Sequence, residues 1–311
     1  MRDLLRGYAA AALESAAGEG RARRVADDLE VFSAALVESE PLRNVLTDVT
    51  IPPGPRRGVV QDILRTAAPE TQALVSWAVI VEPAADLPSA VFALVELARE
   101  TAEAARGNQV RTMGADELLG GRTAVRERIR GYADRLFQEV DRLERIDEIE
   151  NEVVGVAGVV ESSRELRQAL GDRSRPVDQR VALVDGLLRD KVQTVTARLV
   201  SYVLRAGHVR DLVGALEWVA GLAAEERGRR IAEVRSAVEL DEAEYRRLAD
   251  ALSRSAGRPV ELRVRVDPSL MGGMSVSIGD TVIDGSVRHR LDKLREALAP
   301  SGASLYLESR P

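Results

Sequence analysis

The chain has 311 residues, which exceeds one average domain and admits two or three. It contains no Cys and only two His, His208 and His289; this excludes a disulfide framework, a cysteine metal site and a multi-His metal site. Its net charge of -6 is spread over mixed Arg and Glu with no basic block, which argues against nucleic acid as a partner.

Apolar residues make up 45% and aromatics 3%, a balance that predicts helices packed on aliphatic side chains. The opening Met1-Arg2-Asp3-Leu4-Leu5-Arg6 is too charged for a secretory signal. The longest apolar run, Leu74 to Val81, falls far short of the roughly 20 residues that a spanning helix needs. A soluble protein without direct membrane insertion is expected, reaching any membrane through a partner.

In the first third, Val25, Leu29, Phe32 and Leu36 recur at three- and four-residue spacing, the apolar stripe of a helix. A short helix is predicted around Leu42 to Leu46, and Pro52-Pro53-Gly54-Pro55 breaks the chain after it. The same order then returns. Gly7-Tyr8-Ala9 recurs as Gly131-Tyr132-Ala133, Leu42-Arg43 as Leu166-Arg167, Leu46 as Leu170, Pro52 as Pro176, Arg56 as Arg180, and Leu64-Arg65 as Leu188-Arg189, all without a gap. One residue is then gained, and Leu74-Val75-Ser76-Trp77 meets Leu199-Val200-Ser201-Tyr202. A constant offset over this length reads as two copies of one domain.

The second copy carries its own stripe, Ile146, Ile149, Val153, Val156 and Val160. Three further helices are predicted over Val177 to Arg189, Val192 to Arg205 and Val209 to Arg227, with Gly207 as a stop between the last two. The expected domains are a helical bundle over 1–106, a glycine-containing linker over 107–121, a second bundle over 122–228 and a distinct domain over 229–311. The fold class expected is mainly α: two tandem helical bundles, each of about six helices, followed by a small α+β C-terminal domain.

In that last domain, Ile231 to Leu240 alternates as a strand. Asp241 caps a helix with Glu244 three residues on, and Val260 to Val266 alternates again. Two more strands flank Gly279-Asp280. After Asp284-Gly285-Ser286 a final helix is predicted to bury Val287, Leu291, Leu294 and Leu298, with Asp284 as its cap.

No residue pattern here offers chemistry. Gly272-Gly273 runs into a strand with no Lys, unlike a phosphate loop, so its glycines are expected to serve the backbone. Asp267, Asp280 and Asp284 sit in turn dipeptides, not in calcium-loop spacing. His208 ends a helix, His289 lies between Arg288 and Arg290, and no Ser has a His and an acid at recognisable spacing. Trp77 and Tyr202 are read as core residues of matched helices. Catalytic, cofactor-binding and metal residues are all expected to be absent.

One segment is distinctive. Asp267-Pro268-Ser269-Leu270-Met271-Gly272-Gly273, followed by Gly279-Asp280-Thr281-Val282-Ile283-Asp284-Gly285-Ser286-Val287, resembles the C-terminal signature of the delta subunit of rotary ATP synthases, the oligomycin-sensitivity-conferring protein family. Tyr132-Ala133 in the opening helix of the second copy also fits. The resemblance covers Gly131 to about Leu298.

It implies a non-enzymatic stator part in the peripheral stalk. The helical domain would grip the ATP synthase alpha subunits, and the C-terminal domain would hold the b subunit. The implied location is the cytoplasmic face of the plasma membrane, held there through the complex. It also implies a structural role for Asp267, Pro268, Gly272, Gly273, Gly279, Asp280, Asp284, Gly285 and Ser286. The extra N-terminal copy and the Arg- and Ala-rich composition resemble the actinobacterial branch, where delta is sometimes fused to a b segment; the resemblance implies either a separate b subunit or one originally fused at the N-terminus. The copy beginning near Arg122 is the expected grip on alpha. The alternative from another class is a tandem helical adaptor or scaffold for other partners.

Overall fold

The computed structural model describes residues 1–107, 122–140, 143–172, 174–206, 211–256, 260–278 and 281–287. The chain opens with six helices: α1 (Asp3–Gly18), α2 (Ala22–Glu38), α3 (Glu40–Thr47), α4 (Pro53–Ile63), α5 (Pro69–Val81) and α6 (Leu87–Arg106). Six more follow, again with the third the shortest: α7 (Arg122–Glu139), α8 (Leu143–Ser162), α9 (Arg164–Gly171), α10 (Val177–Leu188), α11 (Thr194–Arg205) and α12 (Leu212–Arg230). The remainder is β1 (Ile231–Ser236), α13 (Glu242–Ala256), β2 (Glu261–Val266), β3 (Met274–Ile278) and β4 (Thr281–Asp284). The protein is mainly α with a small α+β part at its C-terminal end.

The described residues form two compact units. One is built from Met1–Val140 and Glu144–Ala224, the other from Leu143 and the described residues from Glu225 onward. Both sets of helices, as far as Ala224 within α12, pack into one compact unit, and each set has its own core, one around Leu29, Phe32 and Leu74, the other around Ile149, Val153 and Leu199.

The apolar stripes explain the helices. On α2, Val25, Leu29, Phe32 and Leu36 are buried; on α8, Ile146, Ile149, Val153 and Val160 are buried. Val156 lies only half-buried at the edge of that stripe, and Ala157 takes the inner position. Pro53 and Pro55 do more than break the chain, because they occupy the first turn of α4, where a proline lacks an N–H that would have no partner anyway.

Hydrogen bonds at helix ends recur between the sets. Ser39 Oγ accepts from the Leu42 N–H at 3.4 Å to cap α3, and Ser163 Oγ accepts from the Leu166 N–H at 3.1 Å to cap α9. Asp48 Oδ1 accepts from the Thr50 N–H at 2.8 Å, as Asp172 Oδ1 does from the Ser174 N–H at 2.9 Å. Arg56 donates to the Leu46 carbonyl at 3.2 Å, and Arg180 to the Leu170 carbonyl at 3.1 Å, which satisfies the last turns of α3 and α9.

The first turns of α5 and α11 are capped from a distance. Asp28 on α2 accepts from the Ala68 N–H at 2.7 Å and from Thr71. Glu152 on α8 accepts from the Gln193 N–H at 3.0 Å and from Thr196. Each carboxylate thus meets the positive end of a helix dipole. Glu152→Ala is expected to lower stability by about 1–2 kcal/mol, because it strands both donors. Urea unfolding followed by circular dichroism measures this, and an unchanged midpoint would contradict it.

Among the described residues, the C-terminal unit holds a four-stranded sheet in the order β2-β1-β3-β4. β1 and β2 are parallel, with Ile231 opposite Glu261 and Ser236 opposite Val266. β3 is antiparallel to β1, and β4 to β3. Alternation sends Ala232, Val234, Leu262 and Val276 into a small core with Leu252 of α13. Tyr245 on α13 donates to the Leu262 carbonyl at 3.2 Å.

Asp241 Oδ1 accepts from the Glu244 N–H at 2.7 Å and Glu244 accepts from the Asp241 N–H at 3.1 Å, a reciprocal capping box. The first strand is shorter than the alternation up to Leu240 suggests. It stops at Ser236, whose carbonyl accepts from the Asp267 N–H at 2.7 Å, while Val238 beyond it is exposed. The segment predicted as the final helix lies outside the described residues beyond Val287.

Candidate functional site

The distinctive segment folds as one knot of backbone. Pro268–Leu270 make a single 3-10 turn after Asp267, whose carboxylate accepts from the Ser269 N–H at 3.0 Å. Met271 then takes a left-handed conformation (φ 61°), followed by Gly272 at φ 154° and Gly273 at φ 76°. These turns let the chain reverse into β3 and meet the exit of β4. The Gly273 carbonyl accepts from the Ala237 N–H at 3.2 Å, Gly272 from Val287 at 2.9 Å, and Met274 from Gly285 at 2.9 Å.

A Cβ on Gly273 would lie 2.6 Å from the Gly285 carbonyl oxygen, so the two strand ends can meet only over a glycine. Asp284 Oδ1 accepts from the Ser286 N–H at 2.9 Å. Asp267, Pro268, Gly272, Gly273, Asp284, Gly285 and Ser286 thus converge on one corner of the sheet. Gly279 and Asp280 lie outside the described residues.

Asp267 also pairs with Arg235 of β1. The Ser269 hydrogen bond, then Arg235, pull its carboxyl down to about 2. A carboxylate lowered in the folded state stabilises above its ordinary pKa, and that stability is lost as pH falls through the lowered value. The wild-type C-terminal unit should therefore lose stability as pH drops from about 4 to about 2, and Asp267→Ala should lack that component. Urea midpoints across this pH range test it; parallel curves for the two proteins would refute the assignment.

The helical unit has its own focus where α1 packs along α7. Gly7 faces the carbonyl of Arg128, and Gly131 faces the carbonyl of Leu4; a Cβ on either would stand 1.9 Å from the opposing oxygen. Leu4 and Arg128 are themselves matched positions in the repeat, so the contact is reciprocal. Tyr8 donates to Gln138 at 2.6 Å, and Tyr132 donates to Glu14 at 2.5 Å. Tyr8 stacks on Trp77 at 4.9 Å, and Tyr132 on Tyr202 at 3.7 Å.

Burial raises the Tyr8 hydroxyl to about 12; burial, then the Glu14 charge, raises Tyr132 well above the ordinary phenol value. Both remain neutral donors. Trp77 is half-buried and Tyr202 buried. The repeated glycine was the one sequence signal of this crossing, since a glycine inside an apolar helix otherwise only weakens it.

Among the described residues, no group of three or more His, Asp or Glu could hold a metal ion. His208 and His289 lie outside those residues. Two open clefts, about 340 and 370 Å³, mark the helical unit; in the first, Arg126 lies over the Trp218 ring at 5.6 Å. No helix among the described residues is long and apolar enough to cross a membrane.

The family described as "ATP synthase delta (OSCP) subunit" matches residues 4–112 and 129–298. A curated ATP synthase subunit delta of Nocardioides sp. is 39% identical over 277 residues, which is 88% of this chain and 87% of that protein. The subunit delta of Beutenbergia cavernae is 32% identical over 91% of this chain and 92% of its own, and that of Streptomyces lividans 31% over 88% of each. A chain of the Toxoplasma gondii mitochondrial ATP synthase aligns over 55% of this chain and 96% of its own at 20% identity, with a TM-score of 0.27, which is too low to carry an argument. On the family match over both helical segments and the glycine corner, this chain belongs to the ATP synthase delta (OSCP) subunit family.

Proposed function

We propose that the chain is a non-catalytic stator part of the proton-translocating ATP synthase. In this reading it links the alpha subunits of the catalytic head to the b subunit of the peripheral stalk and resists rotor torque. Residues 1–106 and 122–228 are two copies of the family's helical domain, joined by 107–121, and 229–311 form its C-terminal domain. The protein sits at the cytoplasmic face of the plasma membrane, held there by the complex. The observation that carries this reading is the family match across residues 4–112 and 129–298.

The architecture suits the task. Helical surfaces offer apolar faces to partner helices, and burial over a standard-size interface gives the slow dissociation that a torque-bearing joint needs. The second copy is the better candidate for the grip on alpha, being continuous with the glycine-signature domain. The face of α7 that meets Leu4 is already filled by α1, so that grip uses other surfaces.

A joint without chemistry should matter for coupling and not for hydrolysis. Membranes stripped of this protein are expected to keep ATP hydrolysis and lose ATP-driven proton pumping, and adding back the full chain should restore pumping. Acid-sensitive dye quenching reads the pumping. Undiminished pumping in membranes verified to lack the protein would end the stator reading.

A further inference from the structure

The two copies meet through matched faces, yet those faces have diverged in a complementary way. Gly7 on Arg128 and Gly131 on Leu4 make a two-fold, self-complementary crossing of the kind found between identical subunits. Around it, the first copy contributes Ala11, Glu14, Ser15 and Ala73; the matched residues of the second are Arg135, Gln138, Glu139 and Arg198. Ala11, Ser15 and Ala73 are thus small where the second copy carries large charged residues, and the charge is reversed at the fourth pair, where Glu14 matches the neutral Gln138.

The contacts use this difference. Ser15 donates to Glu139 at 2.5 Å. Arg198 donates to Glu139 at 3.2 Å, to the Ala11 carbonyl at 3.2 Å and to Ser15 at 3.1 Å, and lies 3.6 Å from Glu14. Arg135 pairs with Glu139 at 3.2 Å. Ala11 is fully buried against the core of the second copy.

Each like-with-like pairing fails on these residues. Two second copies would drive Arg135 into the space where Ala11 is fully buried, a steric and a desolvation conflict. Two first copies would set Ser15 and Ala73 where Glu139 and Arg198 belong, leaving two Glu14 carboxylates with no arginine. We propose that the α1 face is a recognition surface specific for the α7 face of the second copy, and that neither face pairs with itself. Closure within one chain then keeps a protein carrying two related sticky faces from linking into open chains. This inference rests on the contact between the copies and is independent of the stator reading.

The test uses the full chain with a protease site placed between Gly107 and Arg122 and then cut. The two pieces should remain a one-to-one complex at micromolar concentration, captured through a tag on the first piece, with no pairing of like pieces. Arg198→Ala should raise the dissociation constant of the cut protein at least about tenfold, and Ala11→Arg by more, while circular dichroism shows both pieces still helical. If Ala11→Arg disturbs folding, Arg198→Ala carries the test. Pieces that separate while still helical, that pair with their own kind, or that bind as tightly in the Arg198→Ala protein would overturn the proposal.

Discussion

Gly7→Ala should destabilise the helical unit by about 3 kcal/mol and lower its melting temperature by roughly 6–12 °C. The direction is the informative part. In an ordinary helix interior, Gly→Ala stabilises by roughly 0.5–1 kcal/mol, because alanine loses less backbone entropy on folding. At Gly7 the new Cβ would stand 1.9 Å from the Arg128 carbonyl oxygen, and that oxygen belongs to a helix backbone that cannot rotate away. The helices would have to separate, opening space along the whole crossing. Gly131→Ala should behave alike against Leu4. Gly155→Ala is the control: it lies in α8 with nothing within 4 Å of its would-be Cβ, and it should stabilise. Calorimetric melting of the three variants decides the matter, and a Gly7→Ala protein as stable as the Gly155→Ala protein would show the crossing to be wrong.

Gly273→Val is expected to cost the C-terminal unit about 3 kcal/mol or more. Two effects act together. The backbone sits at φ 76°, which a β-branched residue strongly disfavours, and the Cβ would come 2.6 Å from the Gly285 carbonyl. Met271 gives the contrast. It too is left-handed, at φ 61°, but its side chain is 70% exposed. Met271→Gly should therefore be neutral or gain up to about 1 kcal/mol. Amide hydrogen exchange of Ala237, Gly285 and Val287, whose N–H groups close this corner, reports both effects. Faster exchange in the Gly273→Val protein is the expected result, and unchanged protection would remove the corner as the reason for the glycine.

Much of the architecture was legible in the residues because apolar periodicity is a local property. The stripe Val25, Leu29, Phe32 and Leu36 needs no partner to be recognised as one face of a helix, and each of the four is buried. The capping box at Asp241 and Glu244 was equally local, as was the strand from Glu261 to Val266. The end of β1 was not. Alternation continues past Ser236, but β1 ends there, where the last rung of its ladder joins the Ser236 carbonyl to Asp267, a residue thirty-one positions away.

The family too could be read from sequence, since the glycine corner is a contiguous string with unusual demands on φ. What it does to the sheet became visible only once Gly273 was placed over Gly285.

The sequence by itself determined that the chain is mainly helical, that its first part is repeated, and that a small α+β segment with a glycine signature follows. Periodicity, a constant offset and turn residues are written along the chain. Only the tertiary structure decided that the two sets of helices share one unit, with Gly7 against Arg128 and Gly131 against Leu4. Only it revealed why Tyr8 meets Gln138 while Tyr132 meets Glu14. The physical reason is one of range: helix formation depends on neighbours three or four residues apart, whereas a close crossing depends on which two backbones can approach across more than a hundred residues of chain.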